Sequence, residues 1–215
     1  MGSEHLRPLA VLEGHKSRVC RVALSADGQL VASGGGDGTA RLWAASTGKL
    51  LATLRGHTGG VFGVALSADG EVLATSGVDG TVRLWETSSN RNVATLNGNA
   101  SLVSQVALSA DGKVLASCGF DGLVRLWDTS TDRLLTTIHA AVGRVPTLAL
   151  SADGRVLVSG STEGMVRVWE AQSGTCLRSL REEPRYAGLD ITGVSGVTEA
   201  QRAALLSLGA IELPA

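Results

Sequence analysis

The sequence predicts an all-β protein built from four similar four-stranded antiparallel sheets, and three observations support this. The four tryptophans recur at one constant interval, at Trp43, Trp85, Trp127 and Trp169. The tetrapeptide Ser-Ala-Asp-Gly recurs at the same interval, beginning at Ser25, Ser67, Ser109 and Ser151. Between these markers, β-branched and aliphatic residues follow the period of two that is typical of strands. Turns and strands repeated at a fixed interval indicate internal duplication.

Each unit contains three turn signals, which separate four short strands. Ser-Ala-Asp-Gly closes the first hairpin, a turn containing Asp37-Gly38 or its equivalent closes the second, and a polar turn closes the third. The equivalent positions of the third turn are all residues that tolerate a positive φ: Gly48, Asn90, Asp132 and Gly174. One small sheet cannot bury both of its apolar faces, so successive sheets must stack, and radial stacking produces a β-propeller.

The repeat also predicts the domain boundaries. Residues 1–8 are a leading segment, residues 9–181 form the blades, and residues 182–215 are a tail. The full repeats span 14–55, 56–97, 98–139 and 140–181, and residues 9–12 align with 51–54 as the outer strand of a preceding blade. This is one strand more than a closed ring needs, so we expect a fragment of a larger propeller or a half-ring completed by a second copy. In the tail, Thr198–Gln201 reads as a capping box that opens a short helix.

The first repeat resembles a WD repeat through Gly14-His15, Ser33, Asp37 and Arg41-Leu42-Trp43, and the resemblance extends to about residue 181. In that family a loop His, a strand Ser or Thr, a turn Asp and the Trp form a hydrogen-bonded chain within each blade. The resemblance implies that this structural network comprises His15, Ser33, Asp37 and Trp43 in the first repeat; His57, Thr75, Asp79 and Trp85 in the second; Ser117, Asp121 and Trp127 in the third; and Ser159 and Trp169 in the fourth. Asn99 replaces the third His, and Ala141 and Glu163 replace the fourth His and Asp. We therefore expect the last two blades to be less rigid.

The same resemblance implies that three positions per blade surround the mouth of the central channel. Both phenylalanines of the chain, Phe62 and Phe120, occupy such positions on neighbouring blades. The predicted partner-binding residues are Arg18, Phe62, Val78, Leu102, Phe120 and Arg144. The alternative is that both aromatic rings only fill gaps between loops. The arginines at the Arg41 position, by contrast, keep the period in every repeat and are expected to form a structural or solubilising row.

Several functional classes are disfavoured by the sequence. A catalytic Ser-His-Asp triad need occur only once, whereas these residues recur with the structural period, so we expect a protein that is not an enzyme. The histidines and the three cysteines lack metal-ligand spacing, and no metal or cofactor is expected. The 19 Lys and Arg residues balance 20 Asp and Glu residues, which gives no reason to expect nucleic acid or a membrane as partner. No secretory signal is recognisable, so a cytoplasmic location is expected.

The preferred function is an interaction scaffold that binds a protein or peptide through the loops of the propeller. The alternative is self-assembly, in which exposed blade edges associate so that two half-rings, a homodimer, build one larger ring. The tail segment 188–201 resembles the closing tail of large bacterial signalling proteins that carry an NB-ARC or NACHT-type nucleotide switch. That resemblance implies the sensor portion of such a protein, and no phosphate-binding G-x-x-x-x-G-K-[ST] motif occurs in this sequence.

Overall fold

The computed structural model describes residues 9–97, 101–181, 189–190, 192, 198–207 and 210–212. Two compact units are present, residues 1–179 and 180–215, and each is described by itself. Across the described ranges the fold is all-β with one short helix, as predicted.

In the described residues, sixteen strands form four antiparallel sheets, each with its strands in chain order, and we number these sheets as blades one to four. Blade one contains β1 (Val19–Leu24), β2 (Leu30–Gly35), β3 (Thr39–Ala44) and β4 (Leu50–Arg55). Blade two contains β5 (Val61–Leu66), β6 (Val72–Gly77), β7 (Thr81–Glu86) and β8 (Arg91–Asn97). Blade three contains β9 (Val103–Leu108), β10 (Val114–Gly119), β11 (Leu123–Asp128) and β12 (Arg133–His139). Blade four contains β13 (Thr147–Leu150), β14 (Val156–Gly160), β15 (Met165–Glu170) and β16 (Cys176–Arg181).

The predicted turns fix the register of each blade. In the first turn of blade one, Ser25 Oγ donates to Asp27 Oδ1 at 2.6 Å and accepts the Leu30 N–H at 2.9 Å. The other three Ser-Ala-Asp-Gly turns repeat this pattern. At the third turn, Asn90 and Asp132 have φ values of 56° and 57°, so polar residues adopt there the conformation that glycine adopts in blades one and four.

Consecutive blades pack face to face, and the first strand of each blade lies against the first strand of the next. Three apolar clusters fill the boundaries between blades. At the first boundary, Ala32 and Leu42 of blade one meet Val61, Val64 and Trp85 of blade two. The core is therefore divided among the boundaries, as expected for sheets that bury both faces.

A ladder of backbone hydrogen bonds also joins the blades, at the end that carries the first turns. The Ala26 N–H donates to the Ala68 carbonyl at 3.0 Å, Ala68 donates to Ala110 at 2.9 Å, and Ala110 donates to Ala152 at 2.8 Å. Each turn thus donates forward to the equivalent turn of the following blade. We call this series the alanine ladder.

The prediction of an outer strand at residues 9–12 is wrong, since residues 10–15 have no regular secondary structure. In complete blades the fourth strand pairs with the third, as Leu54 pairs with Ala40. The described chain has no strand before Val19 that could pair with residues 9–12 in that way. Their backbone instead runs beside Gly48, and the following Gly14 lies against Trp43.

In the second unit, the predicted helix is α1 (Glu199–Ser207). Gln201 N–H donates to Thr198 Oγ1 at 3.2 Å and Thr198 N–H donates to Gln201 Oε1 at 2.8 Å, the reciprocal pair of a capping box. A parallel bridge joins Asp190 to Ile211. Gly209, where the sequence predicts that this helix stops, lies outside the described residues. No helix among the described residues is long and apolar enough to cross a bilayer.

Candidate partner-binding face

One end of the blades carries two kinds of connection, and we call it the loop face. It consists of the second turns, at residues 36–38, 78–80, 120–122 and 162–164, and of the loops that precede the first strands, at residues 14–18, 56–60, 101–102 and 140–146. The predicted network and the predicted binding residues both belong to this end, because strand direction alternates within each blade.

In blade one, a hydrogen-bonded chain ties the loop to the blade. The Trp43 indole N–H donates to Ser33 Oγ at 2.8 Å, and His15 Nε2 lies 2.8 Å from the same oxygen. Because the Asp37 carboxylate can only accept, His15 Nδ1 carries the proton, and in that tautomer of the neutral ring His15 Nε2 accepts from the Ser33 hydroxyl. That proton points to Asp37 Oδ2 at 3.1 Å. The structure therefore brings all four predicted side chains of this repeat together.

Blade two has the same arrangement. Trp85 Nε1 donates to Thr75 Oγ1 at 2.9 Å, and His57 Nε2 lies 2.9 Å from that oxygen. His57 Nδ1 lies 3.0 Å from Asp79 Oδ1, and the Thr58 N–H donates to Asp79 Oδ2 at 3.0 Å. The chain runs without interruption from the blade core to the loop backbone.

The environment of these side chains favours ionised Asp37 and Asp79 and a neutral His57. Burial alone would raise the pKa of Asp79, but hydrogen bonds from His57 and from the N–H groups of Thr58 and Thr81 lower it to about 2. The pKa of Asp37 is likewise held well below its usual range, because hydrogen bonds from Lys16 and Thr39 outweigh burial. Burial lowers the pKa of His57 despite the neighbouring Asp79. Asp thus acts as a permanent acceptor for loop N–H groups.

Blades three and four keep only part of the chain. The Trp127 indole N–H donates to Ser117 Oγ at 3.1 Å, and Trp169 donates to Ser159 Oγ at 2.9 Å. Asp121 accepts Arg125 Nη1 at 2.7 Å, while Asn99 lies outside the described residues. In blade four Glu163 Oε1 accepts the Gly143 N–H at 2.9 Å. The longer glutamate reaches one residue farther along the loop than Asp37 and Asp79 do.

The periodic arginines lie along the blades. Arg41 and Arg125 are buried, with Arg41 Nη2 placed 3.9 Å from Asp37. Arg83 donates to Thr95 Oγ1 at 3.3 Å, and Arg167 Nε donates to Ser179 Oγ at 3.2 Å. These contacts tie the row to the blades, with Arg41 and Arg125 buried and Arg83 and Arg167 half-buried.

A repeated backbone hydrogen bond pairs the predicted binding positions within each blade. The N–H of the residue before the turn acid donates to a carbonyl just before the first strand, one residue before it in blades one to three and three residues before it in blade four. These bonds run from Gly36 to Arg18 at 2.9 Å, from Val78 to Gly60 at 3.0 Å, from Phe120 to Leu102 at 3.2 Å and from Thr162 to Arg144 at 3.1 Å. Loop and turn are therefore held together while the side chains at these positions vary.

Two cation–π pairs connect neighbouring blades at this face. The Arg18 guanidinium carbon lies 5.4 Å from the ring centroid of Phe62, which joins blades one and two. The Arg144 guanidinium carbon lies 4.1 Å from the ring centroid of Phe120, which joins blades three and four. Each predicted arginine is thus coupled to one predicted phenylalanine.

The exposure of these side chains differs. Arg18, Val78, Phe120 and Arg144 are exposed, whereas Phe62 and Leu102 are half-buried. Phe120 is 41% exposed and Val78 is 48% exposed. Val142, which was not predicted, is 99% exposed in the loop before β13. Its sequence signal is weak, because an apolar residue in a loop does not reveal by itself which way it points.

The polar side chains of the hydrogen-bonded network are engaged within the blades. Among the described residues, no group of three or more His, Cys, Asp or Glu side chains could hold a metal ion. The hydroxyls of Ser33 and Thr75 are buried, and each takes part in bonds to both a Trp and a His. A hydroxyl engaged in this way is not presented to a substrate.

Comparisons with known proteins agree with this architecture. A sequence model described as "WD domain, G-beta repeat" matches residues 6–44, 48–86, 90–128 and 132–170, which together exceed half of the chain. Each match ends with the third strand of a blade, so the repeat begins with the position of a preceding fourth strand. The first match therefore includes residues 9–12, although they form no strand.

Two individual proteins show the extent of the similarity. The "Small ribosomal subunit protein RACK1y" of Oryza sativa subsp. japonica is 58% identical over 40 residues, which are 19% of this chain and 12% of the rice protein. The solved "Structure of U3-55K" superposes with a TM-score of 0.75 at 23% identity, over 80% of this chain and 54% of the other chain. The second likeness supports the fold alone. With four matched repeats on four described blades, the chain belongs to the WD-repeat family of β-propeller proteins.

Proposed function

We propose that this protein is a non-catalytic scaffold that binds a protein or peptide partner through the loop face. The single observation that supports this most is the pair of arginine–phenylalanine contacts, Arg18 with Phe62 and Arg144 with Phe120. Aromatic and arginine side chains are enriched among the residues that dominate binding energy at protein interfaces. Because hydrogen bonds fix the backbone beneath them, little conformational entropy is lost when a partner binds.

A displayed library of random peptides, selected on the folded chain, tests this proposal. Selected peptides should bind the wild type and lose most of their affinity for a Phe62→Ala/Phe120→Ala variant. The matched control is Leu134→Ala/Leu135→Ala, which removes two exposed side chains from β12. Circular dichroism verifies that both variants fold. Peptides that bind the phenylalanine variant as well as the wild type would place the binding surface elsewhere and overturn the proposal.

A second candidate function is self-association through the end faces of the blade stack. Val19 and Val22 of β1 are 52% and 62% exposed. Their equivalents in blade two, Val61 and Val64, are 0% and 5% exposed because blade one covers them. Val166 of blade four is 42% exposed, whereas its blade-two equivalent Val82 is 0% exposed. Apolar faces of this kind favour association.

The two end faces are complementary by the geometry of the repeat itself. The exposed side of blade four is equivalent in composition to the sides of blades one and two that cover β5 and β9. The exposed side of β1 is equivalent in composition to the sides of β5 and β9 that are covered. The alanine ladder also supports head-to-tail docking, since the Ala152 N–H and the Ala26 carbonyl have no ladder partner among the described residues. We propose that a second copy of this chain docks head to tail, blade four on β1, so that two half-rings form one closed ring.

Light scattering during size exclusion tests this second proposal. The wild type should elute with twice the mass of one chain, and Val22→Glu should shift it to the monomer. Leu134→Glu, placed on a strand away from the end faces, should leave the dimer intact. A monomeric wild type would overturn the proposal.

We further propose that the chain is the sensor portion of a larger bacterial signalling protein. Support comes from the resemblance of the tail segment 188–201, half of which lies outside the described residues. Sequencing the genomic locus upstream of the coding region tests this, because a nucleotide-switch module should be encoded in the same reading frame or beside it. An unrelated neighbourhood would overturn it.

A further inference from the structure

We propose that the partner of the loop face is an acidic peptide segment in which an apolar side chain stands next to a carboxylate. The carboxylate binds Arg144 and the apolar side chain contacts Phe120 and Val142, a group that we call the Phe120 site. Arg18 provides a second cationic anchor. This inference rests on the proposed binding function of the loop face and adds the chemistry of its ligand.

The cation of the Phe120 site is oriented and unneutralised. The Arg144 guanidinium carbon lies 4.1 Å from the centre of the Phe120 ring. A guanidinium that rests on an aromatic face still presents N–H donors at its edge, where a carboxylate can accept two of them. Arg144 forms no ion pair with any residue that the structure describes.

The apolar part of the site is held outward by its own loop. Ala141 N–H donates to the Gly122 carbonyl at 3.1 Å, and Gly143 N–H donates to Glu163 Oε1 at 2.9 Å. Val142 lies between these two anchored residues and is 99% exposed. This loop bonds to Gly122, two residues after the exposed Phe120, so the fixed valine supplies apolar area on the same face that a partner can bury without ordering the loop first.

The cations of the loop face are less engaged than its carboxylates. The carboxylates already accept internal donors: Asp37 accepts from His15, Asp79 from His57, Asp121 from Arg125 and Glu163 from Gly143. Lys16, Arg18 and Arg144 have no carboxylate partner among the described residues. Arg18 and Arg144 each lie over a phenylalanine ring, which favours a partner segment that carries carboxylates beside apolar residues.

Fluorescence anisotropy with defined peptides tests the proposal on the full chain. The probe is a fluorescein-labelled peptide of repeated Leu-Glu pairs separated by Gly-Ser, and its partner probe has Leu-Gln pairs. The Leu-Glu peptide should bind at least about tenfold more tightly, as expected for charge-assisted hydrogen bonds. Equal binding of the two peptides, or no binding of either, overturns the proposal.

Matched variants locate the effect. Arg144→Gln should weaken the Leu-Glu complex about tenfold, whereas Arg133→Gln, an exposed arginine at the opposite end of blade three, should not change it. Val142→Ser should weaken the Leu-Glu complex several-fold and leave a Ser-Glu peptide unaffected. All three side chains are exposed, so the variants are expected to fold like the wild type. Equal losses in Arg144→Gln and Arg133→Gln would overturn the assignment to this site.

Two further outcomes distinguish a failure of the acidic-peptide proposal from a failure of the proposed scaffold function. If library-selected peptides depend on Phe62 and Phe120 but show no preference for acidic residues, the scaffold function holds and the acidic chemistry is wrong. If a single-stranded oligonucleotide binds as tightly as the Leu-Glu peptide and with the same loss in Arg144→Gln, the site binds phosphate and the peptide proposal is overturned.

Discussion

Blades two and four have the same strands and the same first turn, yet their loops are held differently and their faces are covered differently. In blade two the chain from Trp85 through Thr75 and His57 to Asp79 connects the core to the loop. In blade four the corresponding chain stops at Ser159, and Glu163 binds the loop backbone directly. Blade two packs against neighbours on both faces, and blade four packs against a neighbouring blade on one.

The comparison separates two parts of the network. The bond from the tryptophan indole to a strand hydroxyl is present in all four blades, so it belongs to the sheet. The His–Asp part is described in two blades only, and it belongs to the loop. A blade can therefore keep its sheet while its loop acquires a different residue, as the exposed Val142 shows.

The largest difference should come from removing the tryptophan of each blade. Trp85→Ala should lower the free energy of unfolding by about 3–5 kcal/mol, because the ring is buried between two blades. Trp169→Ala should cost less, since blade four has one free face and can relax into the cavity. Urea unfolding measures both, with Leu134→Ala as the exposed control. Equal losses at the two tryptophans would break the comparison.

A smaller change in the free energy of unfolding should follow from removing the histidine of blade two or from introducing a histidine into blade four. His57→Ala removes the imidazole that bonds both Thr75 and Asp79, and should lower the free energy of unfolding by about 1–3 kcal/mol. The reverse change, Ala141→His with Glu163→Asp, rebuilds the chain in blade four and should raise it by about 0.5–1.5 kcal/mol. Denaturant midpoints check both variants. Destabilisation by the rebuilt chain would show that blade four needs its glutamate bond more than a histidine.

The smallest effect should be the pH dependence of blade two. The pKa of His57 is lowered by burial, so its contribution to stability is complete above its unfolded pKa of 6.5 and is lost as the pH falls below that value. The pKa of Asp79 is lowered from 3.8 to about 2, so its contribution is lost between those two values. The melting temperature should therefore begin to fall below pH 6.5 in the wild type and less steeply there in His57→Asn. Parallel pH profiles would contradict this account.

The strands and turns could be predicted from the sequence because the residues that determine them recur at the same positions in every repeat. Asn90 and Asp132 occupy positions where other repeats have glycine, and their positive φ values follow from that alignment alone. The positions of Phe62 and Phe120 on the loop face were predictable for the same reason.

Features that depend on contacts between blades could not be predicted in this way. Residues 9–12 have the composition of an outer strand, but a strand requires a partner. An outer strand pairs with the third strand of its blade, and no described third strand is available to pair with residues 9–12. The pairing of Arg144 with Phe120 joins two repeats, so the alignment of single repeats does not reveal it. Val142 is exposed because its neighbours bond to Gly122 and Glu163, and these bonds appear only in three dimensions.

The alanine ladder gives the stack a direction that can be observed one amide at a time. The amide protons of Ala26, Ala68 and Ala110 are each donated to a carbonyl of the following blade, and that of Ala152 has no such acceptor among the described residues. Hydrogen exchange at these four amides therefore reports separately on the contact of each turn with its successor. Slow exchange at Ala152 would reveal that another blade, from whatever source, had been added after the fourth.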